Sequence, residues 1–110
     1  MDQDKLQTLV GQLLSDIAGA ASVAMVRMGD ALGLYKTLNE RGSMTCDALA
    51  VAANVHPRYL REWLAQQTAS NYLTYDSATQ KFTLSPEQAA MFADEDSPVA
   101  MMGAFDAVVA

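Results

Sequence analysis

The chain has 110 residues, of which 51% are hydrophobic, and its 13 acidic and seven basic side chains give a formal net charge of −6 at pH 7. This length and apolar content predict one folded domain with a small core and exclude an intrinsically disordered chain. The acidic balance argues against a general nucleic-acid binder, because affinity for the phosphate backbone comes mainly from lysine and arginine.

The first predicted element is a long N-terminal helix over residues 1–30. Its apolar residues recur three and four positions apart from Leu6 to Met28, which is a helical spacing. Residues 17–26 read IAGAASVAMV and carry no charge on any face. A helix that is apolar all round needs burial on several sides. It is either the central core helix or, as we favour, a helix that packs against a second copy or a second domain.

The favoured interpretation predicts a homodimer formed through this N-terminal helix. Gly19 and its alanine neighbours would permit close approach of two backbones. A membrane partner is not expected, because the uncharged run is shorter than the roughly 20 residues that span a bilayer. With no visible signal peptide, a cytoplasmic location is expected. The predicted dimer interface consists of Leu13, Ile17, Ala21, Ala24, Met25 and Met28.

A second helix is predicted over residues 29–39. Gly42 marks its end, because glycine accepts the left-handed backbone conformation that terminates many helices. Four apolar residues are expected to be buried along this helix. They are Leu32, Leu34, Tyr35 and Leu38.

Residues 45–69 have the pattern of two short helices joined by a tight turn. Thr45 is a good N-cap for the first, and Pro57 fits the first position of the second, where its missing N–H costs nothing. Between them, ANVHP forms the turn. This is the helix-turn-helix pattern. The residues expected to face inward on the second helix are Tyr59, Leu60, Trp63 and Leu64.

After the second helix the pattern changes to alternation. Tyr72 and Thr74 precede a polar turn at residues 76–80, and Phe82 and Leu84 follow it, which predicts a β-hairpin. Pro86 opens another short helix, and a last helix is expected from Pro98 onwards. The predicted fold class is therefore mainly α: a winged helix-turn-helix with a short β-hairpin wing and an additional long N-terminal helix.

The domain organisation follows from these elements. Residues 1–110 are predicted to form a single winged-helix domain. Within it, residues 1–30 are the interface helix, residues 31–95 the winged helix, and residues 96–110 the start of a linker helix.

Neither a metal site nor a reactive thiol is predicted. Cys46 is the only cysteine, which excludes an internal disulfide, and we interpret it as a small apolar residue on a helix. His56 stands in the turn with no second ligand at a useful spacing. The acidic run at residues 94–96 is interpreted as a solvated linker rather than a cation site. No catalytic or metal-binding residue is predicted in the chain.

Four motifs together carry a family resemblance. They are LGLY at residues 32–35, HPRYLREWL at 56–64, YLTYD at 72–76 and FTLSPE at 82–87. In combination they closely resemble the N-terminal winged-helix domain of certain class I S-adenosylmethionine-dependent methyltransferases, over nearly the whole chain after about Ala24. The resemblance implies a non-catalytic domain that mediates dimerisation and helps to close the substrate pocket. It places the methyl donor in a separate C-terminal Rossmann-like domain.

The chain departs from that family in its cofactor motif. None of its six glycines forms the G-x-G of a nucleotide-binding loop. No cofactor-binding residue is therefore predicted here, and S-adenosylmethionine is implied only for the full-length parent. Because the family would continue past Ala110 into the missing catalytic domain, the chain is expected to be a truncated fragment. Its last apolar residues are expected to line the substrate pocket: Met101, Met102 and Phe105.

The residues are also compatible with two other functions. A winged-helix transcriptional regulator would contact DNA through Arg58 and Arg61. Asp47 and Glu62 lie in the same motif and would repel the phosphates, so DNA is not the expected partner. The third function is a free-standing interaction module. A reading frame that continued past Ala110 into a glycine-rich loop would favour the methyltransferase interpretation.

Overall fold

The structure, a computed structural model, describes residues 1–97, and the expected last helix lies outside them. The helices it describes are α1 (Gln3–Ala31), α2 (Leu34–Arg41), α3 (Cys46–Ala53), α4 (Pro57–Ala69) and α5 (Pro86–Phe92). The strands are β1 (Met44–Thr45), β2 (Thr74–Asp76) and β3 (Lys81–Thr83), which pair antiparallel in the order β1-β3-β2. The predicted class, a mainly α winged helix with a long N-terminal helix, is confirmed.

The boundary between α1 and α2 differs from the prediction. A second helix was expected over residues 29–39, but α1 continues to Ala31 and α2 begins only at Leu34. Gly33 separates them with φ +69°, in the left-handed region that glycine adopts readily. Leu32, which was expected to be buried, is 43% exposed because it lies in this turn. Gly42 ends α2 as predicted.

The predicted helix-turn-helix consists of α3, a turn and α4. The Thr45 hydroxyl accepts a hydrogen bond from the Ala48 N–H at 3.2 Å and caps α3 as expected. Asn54 ends α3 with φ 56°, and Pro57 begins α4. His56 caps α4, because its Nδ1 accepts a hydrogen bond from the Arg58 N–H at 3.1 Å. That role of His56 was not predicted, since histidine is not among the usual N-cap residues.

The wing is a hairpin of β2 and β3, extended by a third strand. Tyr75 and Phe82 are paired across the hairpin, and their ring centroids lie 4.7 Å apart. On the other side of β3, Met44 of β1 pairs with Phe82. Strand β1 was not predicted, because a strand of two residues is too short to show alternation. After the wing, Ser85 and Gln88 form a complete capping box at the start of α5.

Aromatic rings join the helices at the centre of the domain. Tyr35 stacks on Phe92 with centroids 5.1 Å apart and meets Trp63 edge-on at 5.2 Å. Trp63 is 2% exposed, which confirms it as a core residue, whereas Tyr59 is 71% exposed and the expectation that it faces inward is wrong. Tyr59 precedes the buried Leu60 by one residue, which turns it about 100° away round the helix.

One polar side chain lies inside this core. Gln67 is fully buried, and its Oε1 accepts a hydrogen bond from the Tyr35 hydroxyl. Its Nε2 donates to Gln66 Oε1 at 2.7 Å. Burial raises the pKa of Tyr35, with smaller contributions from Tyr72 and Asp30, so the phenol stays protonated and can donate this hydrogen bond.

Candidate functional site

The C-terminal part of α1 is docked onto α4 by specific contacts. Trp63 Nε1 donates a hydrogen bond to the Met25 carbonyl oxygen at 2.8 Å. Three residues earlier in α1, the Ser22 hydroxyl accepts a hydrogen bond from Gln66 Nε2 at 3.0 Å. Val26, the next residue after Met25, is fully buried. Together they fix the direction in which the rest of α1 projects from the winged helix.

The rest of α1 presents apolar side chains to solvent. Every residue from 1 to 21 is exposed, and Leu13 and Ile17 are each more than half exposed. Seven exposed apolar residues recur at intervals of three or four and therefore share one face of the helix. At 1.5 Å per residue this face is about 33 Å long. We call it the α1 stripe, and it comprises Leu6, Val10, Leu13, Ile17, Ala21, Ala24 and Met28.

Most of the residues predicted to form a dimer interface lie on the α1 stripe. Leu13, Ile17, Ala21, Ala24 and Met28 are all members of it and exposed. Met25 is the exception, because its half-buried side chain packs against the core. The stripe also includes Leu6 and Val10, which the interface prediction omitted although their spacing could have revealed them. The alternative of a central core helix was made for residues 17–26. Residues 17–21 are all exposed, whereas Val26 is buried, so this run is buried only towards its C-terminal end.

Helix α1 also meets the criteria of length and composition for a membrane span. An 18-residue window within it has a mean hydropathy of 1.6, and 6% of that window is buried. The N-terminal half of α1, however, has a polar side that faces away from the stripe. This two-sided distribution is typical of a helix that buries one face rather than its whole circumference. The polar side carries Asp4, Lys5, Thr8, Gln12, Ser15 and Asp16.

The solvent side of α4 is the surface that would contact DNA in the alternative interpretation. Arg58 and Arg61 are both exposed there. Glu62 is exposed beside them, and Ala65 and Ala69 complete the face with methyl groups. The face therefore offers two cations and one anion, a weak set for binding phosphates.

A groove of about 600 Å³ lies between α4 and the wing. Ala65 and Ala69 line it from α4, and the rings of Tyr75 and Phe82 line it from the hairpin. Asp47, at the start of α3, contributes a carboxylate. This groove could not be predicted from the sequence, because the residues that line it come from three elements that are distant along the chain.

Charged groups and a thiol lie at the edge of the groove. Within residues 1–97, neither Arg61 nor Asp47 forms an ion pair. Cys46 also lines the groove, and its thiol lies 3.9 Å from the Pro57 carbonyl oxygen. Burial raises the pKa of Cys46, and the Arg61 charge opposes that rise in part. A raised pKa keeps the thiol protonated at neutral pH, which fits the interpretation of Cys46 as a structural residue.

The remaining site predictions are only partly covered by the structure. Met101, Met102 and Phe105, the expected pocket lining, lie outside the described residues. In the part of the chain that the structure describes, no group of three or more His, Cys, Asp or Glu side chains could hold a metal ion. Within the acidic run at 94–96, Glu95 forms an ion pair with Lys36 at 3.0 Å, which links the run to α2.

Comparison with known protein families gives one match that covers most of the chain. Residues 20–94 match the Rv2258c-like winged HTH domain. The chain belongs to this family. The match to the Rv2258c-like domain includes the helix-turn-helix, the wing and the docked end of α1. The first turns of α1 precede the matched region, and with them four residues of the α1 stripe: Leu6, Val10, Leu13 and Ile17.

Solved structures with the same fold include three with TM-scores of 0.70 or higher. A structure titled "PigF with SAH" is 16% identical with a TM-score of 0.75 and shares the fold, covering 90% of this chain. CalO1, a methyltransferase in calicheamicin biosynthesis in its SAH-bound form, is 26% identical with a TM-score of 0.70 over 96% of the chain. The mitomycin 7-O-methyltransferase MmcR is 25% identical with a TM-score of 0.71 over 89%.

These comparisons confirm the resemblance to winged-helix domains of methyltransferases that the sequence motifs indicated. The chain spans 28% of the PigF chain and 29% of the CalO1 and MmcR chains. A comparison with curated protein sequences gave no match.

Proposed function

We propose that this chain is the non-catalytic winged-helix domain of an S-adenosylmethionine-dependent methyltransferase and that it dimerises through the α1 stripe. The observation that carries the dimer proposal is the exposure of seven apolar residues along one face of a single helix. Large contiguous apolar surfaces on a folded domain usually mark an interface. A two-fold dimer would cover the same stripe on both copies at once.

A second copy fits the α1 stripe better than a lipid bilayer does. A spanning helix would place Asp16 and the other polar residues of α1 in hydrocarbon, where each charge is costly. A helix lying flat on an anionic membrane surface usually has a basic polar face. Here that face carries Asp4 and Asp16 against the single cation Lys5, which disfavours an anionic lipid surface.

The methyltransferase part of the proposal is supported by the similar structures. CalO1 and MmcR are titled methyltransferases, and the chain corresponds to less than a third of each. In the parent protein a separate Rossmann-like domain would then bind S-adenosylmethionine. The winged-helix domain would help to enclose the substrate, with Met101, Met102 and Phe105 near the pocket.

The association state in solution tests the dimer proposal. Sedimentation velocity of the 110-residue chain from about 1 to 100 μM should show a monomer converting to a dimer, the range in which moderate interfaces dissociate. A parallel flotation assay with phosphatidylcholine–phosphatidylglycerol vesicles should leave the protein unbound. A monomer at every concentration, or recovery of the protein with the vesicles, would contradict the proposal.

DNA binding is the second candidate function, and the exposed Arg58 and Arg61 on α4 are the observation that favours it. The net charge of −6 and the neighbouring Asp47 and Glu62 oppose approach to phosphates. We therefore place it second to the dimerisation role.

A further inference from the structure

The groove between α4 and the wing has the dimensions of a small-molecule site. Its volume of about 600 Å³ lies within the range of roughly 300–1,000 Å³ typical of ligand pockets. Methyl groups of Ala65 and Ala69 form one wall, and the rings of Tyr75 and Phe82 form the other. These walls suit a flat apolar group, because aromatic rings pack favourably on one another and on methyl groups.

The charged side chains that line the groove restrict the class of ligand further. Arg61 lines it from α4 and Asp47 from α3, and both side chains belong to exposed residues. Among residues 1–97 they have no ion pair, either with each other or with a third residue. A guanidinium is a good partner for a carboxylate, and a carboxylate is a good partner for an ammonium group.

The geometry points to a site for a small aromatic zwitterion, a molecule of the size and charge of an aromatic amino acid. Its carboxylate would pair with Arg61, its ammonium group with Asp47, and its ring would lie against Tyr75 and Phe82. A simple anion would meet repulsion from Asp47, and a simple cation would meet repulsion from Arg61. A zwitterion can pair with both Arg61 and Asp47. Because its own net charge is zero, the chain's net charge of −6 does not repel it. This inference is independent of the dimer and methyltransferase proposals.

A titration followed by NMR tests the site directly. L-tryptophan is added to the ¹⁵N-labelled 110-residue chain, and the amide signals of Ala65, Ala69 and Phe82 are followed. These signals should shift and saturate, while that of Leu13 in α1 stays unchanged. Indole-3-propionate lacks the ammonium group and tryptamine lacks the carboxylate, so both should bind at least about tenfold more weakly. No saturable shift up to about 10 mM tryptophan, or equal binding of the three compounds, would overturn the inference.

Variants with matched controls assign the binding to the two charged residues. Arg61→Gln and Asp47→Asn should each weaken tryptophan binding by about tenfold. Arg58→Gln and Glu62→Gln change the same types of charge on the same helix-turn-helix, at residues that do not line the groove. Both controls should bind tryptophan as tightly as the unsubstituted 110-residue chain does. All four variants should keep the melting temperature of the unsubstituted chain. Unchanged binding in either groove variant, or an equal loss in the controls, would show that Arg61 and Asp47 do not form the site.

Discussion

Gly29 of α1 lies directly against the indole ring of Trp63 in α4. A Cβ atom at residue 29 would lie 2.9 Å from Trp63 Cε2 and closer still to Cζ2, and 2.9 Å from Tyr35 Cε2. The missing side chain thus lets α1 approach closely enough for Trp63 Nε1 to reach the Met25 carbonyl oxygen at 2.8 Å. The position of α1 on the winged helix depends on this contact.

Replacing Gly29 should therefore destabilise the fold. We expect Gly29→Ala to lower the free energy of unfolding by about 1–3 kcal/mol, because the new methyl group overpacks a rigid aromatic site. Gly19→Ala is the matched control, since a Cβ there would meet nothing within 4 Å and Gly19 does not belong to the α1 stripe of the proposed dimer. The control should raise stability by about 0.5–1 kcal/mol through helix propensity. Urea unfolding of both variants measures this, and a stabilising Gly29→Ala would contradict the assigned contact.

The two large aromatic residues of α4 should respond very differently to truncation. Trp63→Ala should cost about 3–5 kcal/mol, because it removes a buried ring from the core. Tyr59→Ala should change stability by no more than about 0.5 kcal/mol, because its ring is 71% exposed. Thermal unfolding followed by circular dichroism compares them. Similar losses in the two variants would show that Tyr59 is buried in solution, for example in an oligomer.

A charge placed on the α1 stripe should weaken the proposed dimer. Ala21→Glu puts a carboxylate on that face, and we expect the dimer dissociation constant to rise by at least about tenfold, because burying an unpaired charge is costly. Gln12→Glu adds the same charge on the polar side of α1 and should leave dissociation nearly unchanged. Sedimentation equilibrium gives both constants, and equal weakening would mean that net charge rather than the stripe controls association.

The salt dependence of binding tests whether α4 contacts DNA or is only a structural part of the winged helix. If α4 reads DNA, the logarithm of the binding constant should fall by about 0.9 per phosphate neutralised for each tenfold rise in salt. We expect instead that duplex DNA binds poorly even at low salt. We also expect the Arg58→Ala/Arg61→Ala double variant to keep its stability, since exposed arginines contribute little. A salt-sensitive gel shift at nanomolar protein that the double variant loses would make DNA binding, rather than dimerisation, the favoured function.

Local signals in the sequence were sufficient to predict the order of most elements. Each of these signals affects the backbone within one or two helical turns. Examples are the spacing of apolar residues in α1, Thr45 as an N-cap and Pro57 at the start of α4. Their effects therefore do not depend on the rest of the fold. The boundary between α1 and α2 was predicted at residues 29–30 but lies at Leu32 and Gly33, because a glycine within a helical pattern does not by itself show whether the helix ends there.

Which side of each helix is buried was decided only by the tertiary structure. Tyr59 and Trp63 are both aromatic residues of α4, yet one is exposed and the other forms the core, because Gly29 and Tyr35 meet α4 on Trp63's side alone. The same contact turns Met25 towards the core and leaves Ala24 and Met28 on the α1 stripe. The spacing of apolar residues determines which side chains share one face of a helix. Contacts with residues distant along the chain determine whether that face is buried and against which element. The groove at Arg61 and Asp47 likewise exists only because folding brings α3, α4 and the wing together.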